Sequence, residues 1–374
     1  MYVARLALQD FRSWSELELP LESGPNAFVG PNGHGKTNLV EAIDYVATLA
    51  SHRVAHDGPL VRVGADQAIV RTEAIRDGRS ALLEVEINPG KSNRARINRS
   101  PLARAREMLG TLRTVLFTPD DLTLVKGDPG DRRGFLDALM VLRSPRLAGE
   151  RSDYDRILRQ RNTLLKSAGR NRHANLPTLD IWDEHLARSG GVIMDARRRL
   201  LEDLAPHLEK AYLTVAASAA QDRQLAQAAY RPCFDIAAVA ANPESLSAAI
   251  SEQLQHKRAE ELDRGISLIG PHRDDITLSL GQLPAKGYAS HGESWSLALA
   301  LKLAAFDLLR AEGDDPILIL DDVFAELDRD RRSALAAQVA DAEQVLVTAA
   351  VDDDVPDELS ATFYRVTDGR VHHD

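Results

Sequence analysis

The sequence predicts an α/β protein whose main domain is assembled from both ends of the chain, with a mostly helical second domain inserted between them. Three observations carry this reading. Strand patterns dominate residues 1–118 and return over residues 263–374. Residues 119–262 instead show helical periodicity with few strand signals. A glycine loop near the N-terminus finds its acidic partner strand only near the C-terminus, so both ends belong to one domain.

Tyr2, Ala4, Leu6 and Leu8 alternate as a strand does. Asn26 to Val29 reads as a short strand running into Gly30-Pro31-Asn32-Gly33-His34-Gly35-Lys36-Thr37, which matches G-x-x-x-x-G-K-S/T without a mismatch. Asn38 to Ser51 carries apolar residues at helical spacing. This strand–loop–helix context is what a phosphate loop requires. Its glycines let backbone N–H groups curl around a phosphate, and the helix start adds a positive dipole end. Lys36 is placed to neutralise the β- and γ-phosphates and Thr37 to hold Mg²⁺, so the segment implies a nucleoside triphosphate. Further along, residues 67–76 and 79–87 flank Asp77-Gly78, a hairpin signal, and Thr114 to Thr118 is a short strand stopped by Pro119.

In the insert, Leu136, Leu139 and Met140 form one helical face, Ile157, Leu158, Leu164 and Leu165 another, and Leu200, Leu201, Leu204 and Leu208 a third. Residues 166–178, with Gly169, Asn171, Asn175 and Pro177, read as a loop. Strands are expected again at Ile266–Ile269, Ile276–Leu280, Ile317–Leu320 and Val345–Thr348, with a last hairpin turning at Asp368-Gly369.

Ile317 to Leu320 is a run of branched apolar residues suited to a strand covered on both faces, and it ends in Asp321-Asp322. Ligands of open α/β sheets bind at such strand ends. Asp321 is the expected partner for the Mg²⁺ held by Thr37, and Asp322 is placed to orient or deprotonate a water. Ser290-His291-Gly292-Glu293 opens a helix to about Arg310 that is apolar almost all round, hence buried. With Ser290 at its cap, it is either an ordinary core helix or a second phosphate-binding end. One nucleotide does not need two such ends, but two subunits facing head to tail would use both.

Composition sets limits on these readings. At 374 residues, 44% hydrophobic and 27% charged, the chain has the make-up of a soluble multi-domain protein. Its single cysteine, Cys233, rules out an internal disulfide framework and suits a reducing cytoplasm. Arg5, Gln9 and Asp10 interrupt any signal-like start, and no apolar run reaches the ~18 residues of a membrane span. A net charge of −10 gives no global attraction to nucleic acid, so any such binding needs local clusters. Lys91 to Arg106 offers one, with Arg94, Arg96, Arg99, Arg104 and Arg106 and no acid. Arg143 to Arg172 is a second. Aromatic residues hardly interleave them, so phosphate contacts without sequence reading are the better fit than base stacking. A solvated arginine-rich face is the plainer alternative.

The order of these motifs, followed by Ala325-Glu326-Leu327-Asp328, resembles the ABC/SMC class of ATPase heads. Within that class, segments spread over nearly the whole chain resemble the RecF family of bacterial recombination mediators. They are Leu8-Gln9-Asp10-Phe11-Arg12, the phosphate loop with Asn38, Ser51-His52-Arg53, Phe117 to Leu122 with Val125-Lys126-Gly127, Arg132 to Asp137, Gly270-Pro271-His272-Arg273-Asp274-Asp275, and Leu320 to Asp328. The last two are the specific ones. The resemblance implies an ATP- and Mg²⁺-dependent, DNA-binding ATPase of repair and replication restart. Such a protein dimerises on ATP and helps load recombinase at gaps, with RecR and RecO as partners. By resemblance Arg12 lies near the nucleotide, with Arg53 a further candidate. Ser290, Gly292, Glu293 and Asp328 act on the partner subunit's nucleotide, and Asp322 is the hydrolytic carboxylate. Gly270 to Asp275 receives no chemical role and reads as a turn joining two strands.

Three departures from the wider class point to slow hydrolysis. The hydrolytic carboxylate is Asp322 and not the longer Glu, Ala349-Ala350 replaces a switch histidine, and Pro119-Asp120-Asp121 offers no glutamine. A transporter's nucleotide-binding subunit is the main alternative, but it expects the acidic strand close behind the phosphate loop, whereas here Lys36 and Asp321 lie near opposite ends of the chain. A long-armed SMC protein needs heptads for which the insert has no room. A scaffold with a decayed loop is disfavoured by the intact Lys36, Thr37 and Asp321.

Overall fold

The strand Gly24–Val29 leads into the glycine loop and pairs in parallel with Gln344–Ala349, which in turn pairs in parallel with Ile317–Asp321. Chain ends more than three hundred residues apart thus lie side by side. The computed structural model describes residues 1–170, 176–216, 221–313, 315–367 and 369–373. These three strands form the middle of a six-stranded sheet completed by Thr114–Phe117 on one side and by Thr362–Thr367 and Arg370–His373 on the other. Only the last pair is antiparallel. All five residues of Ile317–Asp321 and all six of Gln344–Ala349 are buried, as strands covered on both faces must be.

A second six-stranded sheet is antiparallel throughout, in the order Trp14–Pro20, Tyr2–Phe11, Ala68–Arg76, Arg79–Ile87, Arg94–Ile97, Ser100–Pro101. The hairpin at Asp77-Gly78 has φ of 50° and 73°, the paired left-handed residues of a tight turn. The helix Lys36–Thr48 packs against strands of both sheets, and Leu39, Val40, Ala42, Ile43, Tyr45, Val46 and Ala47 join one core with residues of each. Being covered all round, this helix also buries Glu41 and Asp44, which must therefore find partners.

The chain divides into two compact units. One comprises Met1–Leu122, His207–Leu225 and Ser290–Asp374; the other comprises Thr123–Pro206 and Ala226–Ala289. Sequence alone placed the boundaries at 118/119 and 262/263. Packing instead draws 207–225 to the unit of the chain ends and leaves 263–289 with the central one. The helix Leu176–Val215 contains Pro206, the residue at which the assignment changes.

The central unit is not purely helical. Ala226–Arg231 is a strand paired antiparallel with Asp275–Leu280. Only Ala226 of its six residues is buried, so it carries little apolar alternation to betray it. The expected strand at Ile266–Ile269 is absent. There Ser267 N and Oγ are held by Asn162, and Ser267 O accepts from Arg273, so ladder bonds are replaced. Gly270 to Asp275 connects the helix Pro243–Arg264 to a strand, not one strand to another. It forms a polar hub: His272 bonds Tyr154 at 2.7 Å, fully buried Asp274 accepts from Tyr230 and from Cys233 N, and Asp275 takes both arms of Arg132 at 2.7 and 3.1 Å. Arg133 donates to Asp274 O, and Arg197 joins Asp137 to Pro271 O. The Arg132–Asp137 and Gly270–Asp275 segments are therefore two halves of one network.

Of the loop expected at 166–178, residues 166–170 and 176–178 are helical. Asn171 and Asn175, with Arg172 of the second basic cluster, lie outside the described residues, as does Asp368 of the last hairpin. No described helix is long and apolar enough to cross a membrane.

Candidate nucleotide site

The carboxyl ends of the three middle strands put Gly30, Ala349 and Asp321-Asp322 in one row. Gly30 starts the loop at a place where a Cβ would stand 2.1 Å from Val366 O, so no side chain fits. Gly35, at φ 96°, is the N-cap of the helix Lys36–Thr48. The indole of buried Trp14 donates to its carbonyl at 3.3 Å. Pro31, Asn32 and Gly33 are exposed at the rim, and His34 is half-buried.

Lys36 folds back onto the loop's own oxygens. Its Nζ donates to Gly30 O at 2.7 Å, Pro31 O at 3.2 Å and Asn32 Oδ1 at 3.4 Å. Burial lowers its pKa, while Asp322 and Asp321 pull the other way. Thr37 Oγ1 donates to Asp321 Oδ1 at 2.9 Å, and Thr348 Oγ1 donates to the same oxygen at 2.7 Å. Burial raises the pKa of Asp321 against these two bonds, and neighbouring Asp322 raises it further. Asp322 is held at φ 53° by its N–H to Thr348 Oγ1 at 2.9 Å. The direct hydrogen-bond partners of this buried carboxylate are two hydroxyls. One carboxylate and one hydroxyl beside a triphosphate is the sparse oxygen set that Mg²⁺ takes. No cluster of three or more acidic, His or Cys ligands exists among the described residues, and such a site needs none.

Residues that sequence reasoning overlooked complete the loop's surroundings. Glu41, fully buried, accepts both arms of Arg12 at 2.9 and 2.5 Å, Arg53 at 3.2 Å and Ser51 Oγ at 2.6 Å. Burial pushes its carboxyl up, but the bonds from Arg12 and Ser51 win and hold it below the usual range. Arg53 also donates to Asn38 Oδ1 at 2.9 Å, and Asn38 Nδ2 donates to Ser13 Oγ at 2.9 Å. Glu41 shares its helix with Asp44 and other polar residues, so no local signal marked it. Thr348 was named only as the end of an expected strand, with no signal of a role in the site.

Ser290 caps the helix His291–Ala311 in a reciprocal box with Glu293: Glu293 N donates to Ser290 Oγ at 3.2 Å, and Ser290 N to Glu293 Oε2 at 2.8 Å. Arg223 stands 3.6 Å from the other Glu293 oxygen. Asp328 caps the next helix, Arg329–Val339, and pairs with Arg331, which reaches back to Ser296 Oγ at 2.9 Å beside Gly292. Lys302, on the helix that Ser290 opens, bridges to Asp121 at 2.9 Å and to Leu116 O at 2.7 Å.

The basic candidates are less free than their segment suggests. Arg94 and Arg96 share one face of a strand whose neighbour supplies Glu86 and Glu84, at 3.4 and 2.6 Å. Arg99 lies at φ 69° in the tight turn after that strand, exposed; Arg104 is exposed and Arg106 half-buried beyond it. In the second cluster Arg161 is fully buried between Asp183 and Glu261, and so is unavailable for a surface role.

The family described as RecF/RecN/SMC N terminal domain matches residues 2–370. The DNA replication and repair protein RecF of Nocardioides sp. is 55% identical, with 99% of each chain covered. That of Streptomyces avermitilis is 56% identical, again over 99% of each. Two solved structures of the recombination mediator protein RecF in the RecFOR pathway, titled RecF-ATPrS and RecF-ATP, are 26% identical. They superpose with TM-scores of 0.90 and 0.89 over the whole of this chain. The Smc head domain of Pyrococcus furiosus, 17% identical with a TM-score of 0.53, shares the fold. The fold is the ABC/SMC type expected, and the chain belongs to the RecF family, built on the RecF/RecN/SMC N-terminal domain.

Proposed function

We propose that this chain is a cytoplasmic, DNA-linked ATPase of recombinational repair and replication restart that works as an ATP-driven homodimer. The observation that supports this best is the presence, in one unit, of two phosphate-ready helix starts, Lys36–Thr48 and His291–Ala311. The first receives ATP in its own loop: Gly30 to Thr37 and Asn38 wrap the phosphates, and Lys36 leaves the carbonyls of Gly30 and Pro31 for the β- and γ-oxygens. Thr37 and Asp321 hold Mg²⁺, which supplies charge neutralisation on those oxygens when bound. The second, through Ser290, Gly292 and Glu293 with Asp328 beside it, completes the partner's site.

Asp322 orients the attacking water. Its short side chain, with no histidine after Thr348, makes hydrolysis slow, so ATP serves as a timer for the closed dimer. DNA binding is without sequence preference, through arginines that the dimer brings together. Relatives named for DNA replication and repair, and solved relatives placed in the RecFOR pathway, support DNA, RecR and RecO as partners. The test is mass by sedimentation with ADP, with ATP and with a non-hydrolysable analogue. A dimer with ATP alone and its analogue is expected, and an unchanged mass would sink the reading.

A further inference from the structure

We propose that Glu41 is the positioning residue of the nucleotide site, holding two guanidiniums at the edge of the phosphate loop. The inference rests on the reading that Gly30 to Thr37 binds ATP and goes beyond it to a residue with no assigned part. Glu41 sits on the second turn of the loop's own helix, with no exposed surface. An unpaired carboxylate there would be costly, and this one carries more partners than neutrality requires. Its two oxygens take Arg12 as a fork, Arg53 and Ser51. Two cations meet on one anion, more than a single structural ion pair holds, and the charge of Arg53 also reaches Asp321.

The location of this cluster gives it a use. Arg53 also binds Asn38, the residue after Thr37, and Asn38 binds Ser13, whose Oγ lies 2.8 Å from where a Cβ on Gly35 would stand. The network therefore runs along the loop from Gly35 to Asn38, the stretch whose N–H groups face a bound phosphate. Arg12 is fixed from a second direction as well. Its backbone is held at φ 53° by a 2.7 Å bond from its N–H to Leu60 O, and its guanidinium donates to Pro59 O at 3.1 Å. A non-glycine residue kept in that region by several bonds marks a place where geometry matters more than local comfort.

The test is ATP affinity by calorimetry, beside thermal midpoints without nucleotide. Glu41→Gln keeps the volume but cannot accept all four donors. We expect ATP to bind about tenfold more weakly, the worth of one charge-assisted hydrogen bond. The loss should not multiply with that of Arg12→Ala, because one network is removed in either case. A folded Glu41→Gln with the parental affinity, or losses that multiply, would overturn the proposal and leave Glu41 a fold-holding residue. If Glu41→Gln does not fold, Ser51→Ala removes one Glu41 partner at the edge of the helix. A measurable weakening of ATP is then expected, and an unchanged affinity overturns the proposal equally. Lys36→Ala separates the two levels: were it also to bind ATP as the parent does, the loop itself would be misassigned.

Discussion

A Cβ placed on Gly292 would stand 2.8 Å from Nη2 of Arg331. That guanidinium is tied to Ser296 on the helix that Ser290 opens and to Asp328 at the cap of the next one. Gly292 is thus the gap through which one side chain fastens two helix starts. Alanine has the better helix propensity, so Gly292→Ala should change stability by no more than about 1 kcal/mol. It should nevertheless push Arg331 off Ser296 and misplace both ends. We expect ATP binding by the monomer to survive and ATP-driven dimerisation to fail. Sedimentation together with nucleotide titration checks both halves.

Asp321 and Asp322 are adjacent but differently placed, one buried on Thr37 and one half-exposed in a left-handed turn. Asparagine tolerates that turn, so Asp322→Asn should fold and bind ATP with Mg²⁺. Its turnover should fall by about a hundredfold or more, the worth of a positioned base. Asp321→Asn should instead weaken nucleotide binding only when Mg²⁺ is present. Equal behaviour of the two variants in a magnesium titration and a phosphate-release assay would remove the division of roles.

Burial pushes the Asp44 carboxyl up to about 6, against a bond from Thr114 and the charge of Lys302. A folded-state value above the unfolded one means that losing the proton costs the folded chain stability. The cost is absent below the unfolded value near 4, grows as pH rises to about 6, and is complete above it. Asp44→Asn keeps an acceptor for Thr114 and removes the charge. It should raise stability above pH 7 by about 1–3 kcal/mol, with the gain fading toward pH 4. Urea melts across that range measure it, and a gain constant with pH would show that Asp44 does not titrate there.

Glu84 and Glu86 face Arg96 and Arg94 across neighbouring strands. If this sheet meets DNA, the acids subtract from the attraction. Replacing Arg94, Arg96 and Arg99 by alanine should lower duplex affinity and the slope of log affinity against log salt, by about one unit for each phosphate left without its arginine. Glu84→Gln with Glu86→Gln should do the opposite. Binding isotherms over a salt series decide, and an unchanged slope in both variants would place the DNA away from this sheet.

Local chemistry made much of this protein legible from its sequence. A phosphate loop needs glycines, a lysine and a threonine in order, so Gly30 to Thr37 announces itself. Ser290 ahead of a long apolar run reads as a helix cap, and a doubly covered strand needs the unbroken run before Asp321. The resemblance to ABC/SMC heads added the reading of Asp328. What the sequence did not disclose depends on partners far away along the chain. Glu41 looks like one more polar residue on a helix until both sheets close over it and bring Arg12 and Arg53 to it. Arg94 and Arg96 look free until the hairpin register sets Glu84 and Glu86 opposite. Ala226–Arg231 has almost no apolar pattern, and it is a strand through its backbone pairing with Asp275–Leu280. Short-range patterns follow from what each residue does to its own backbone and immediate neighbours, and so determined the loop, the caps and the buried strands. Charge pairing and edge pairing depend on which distant groups share a low-dielectric space or a ladder, and only the tertiary structure decided them.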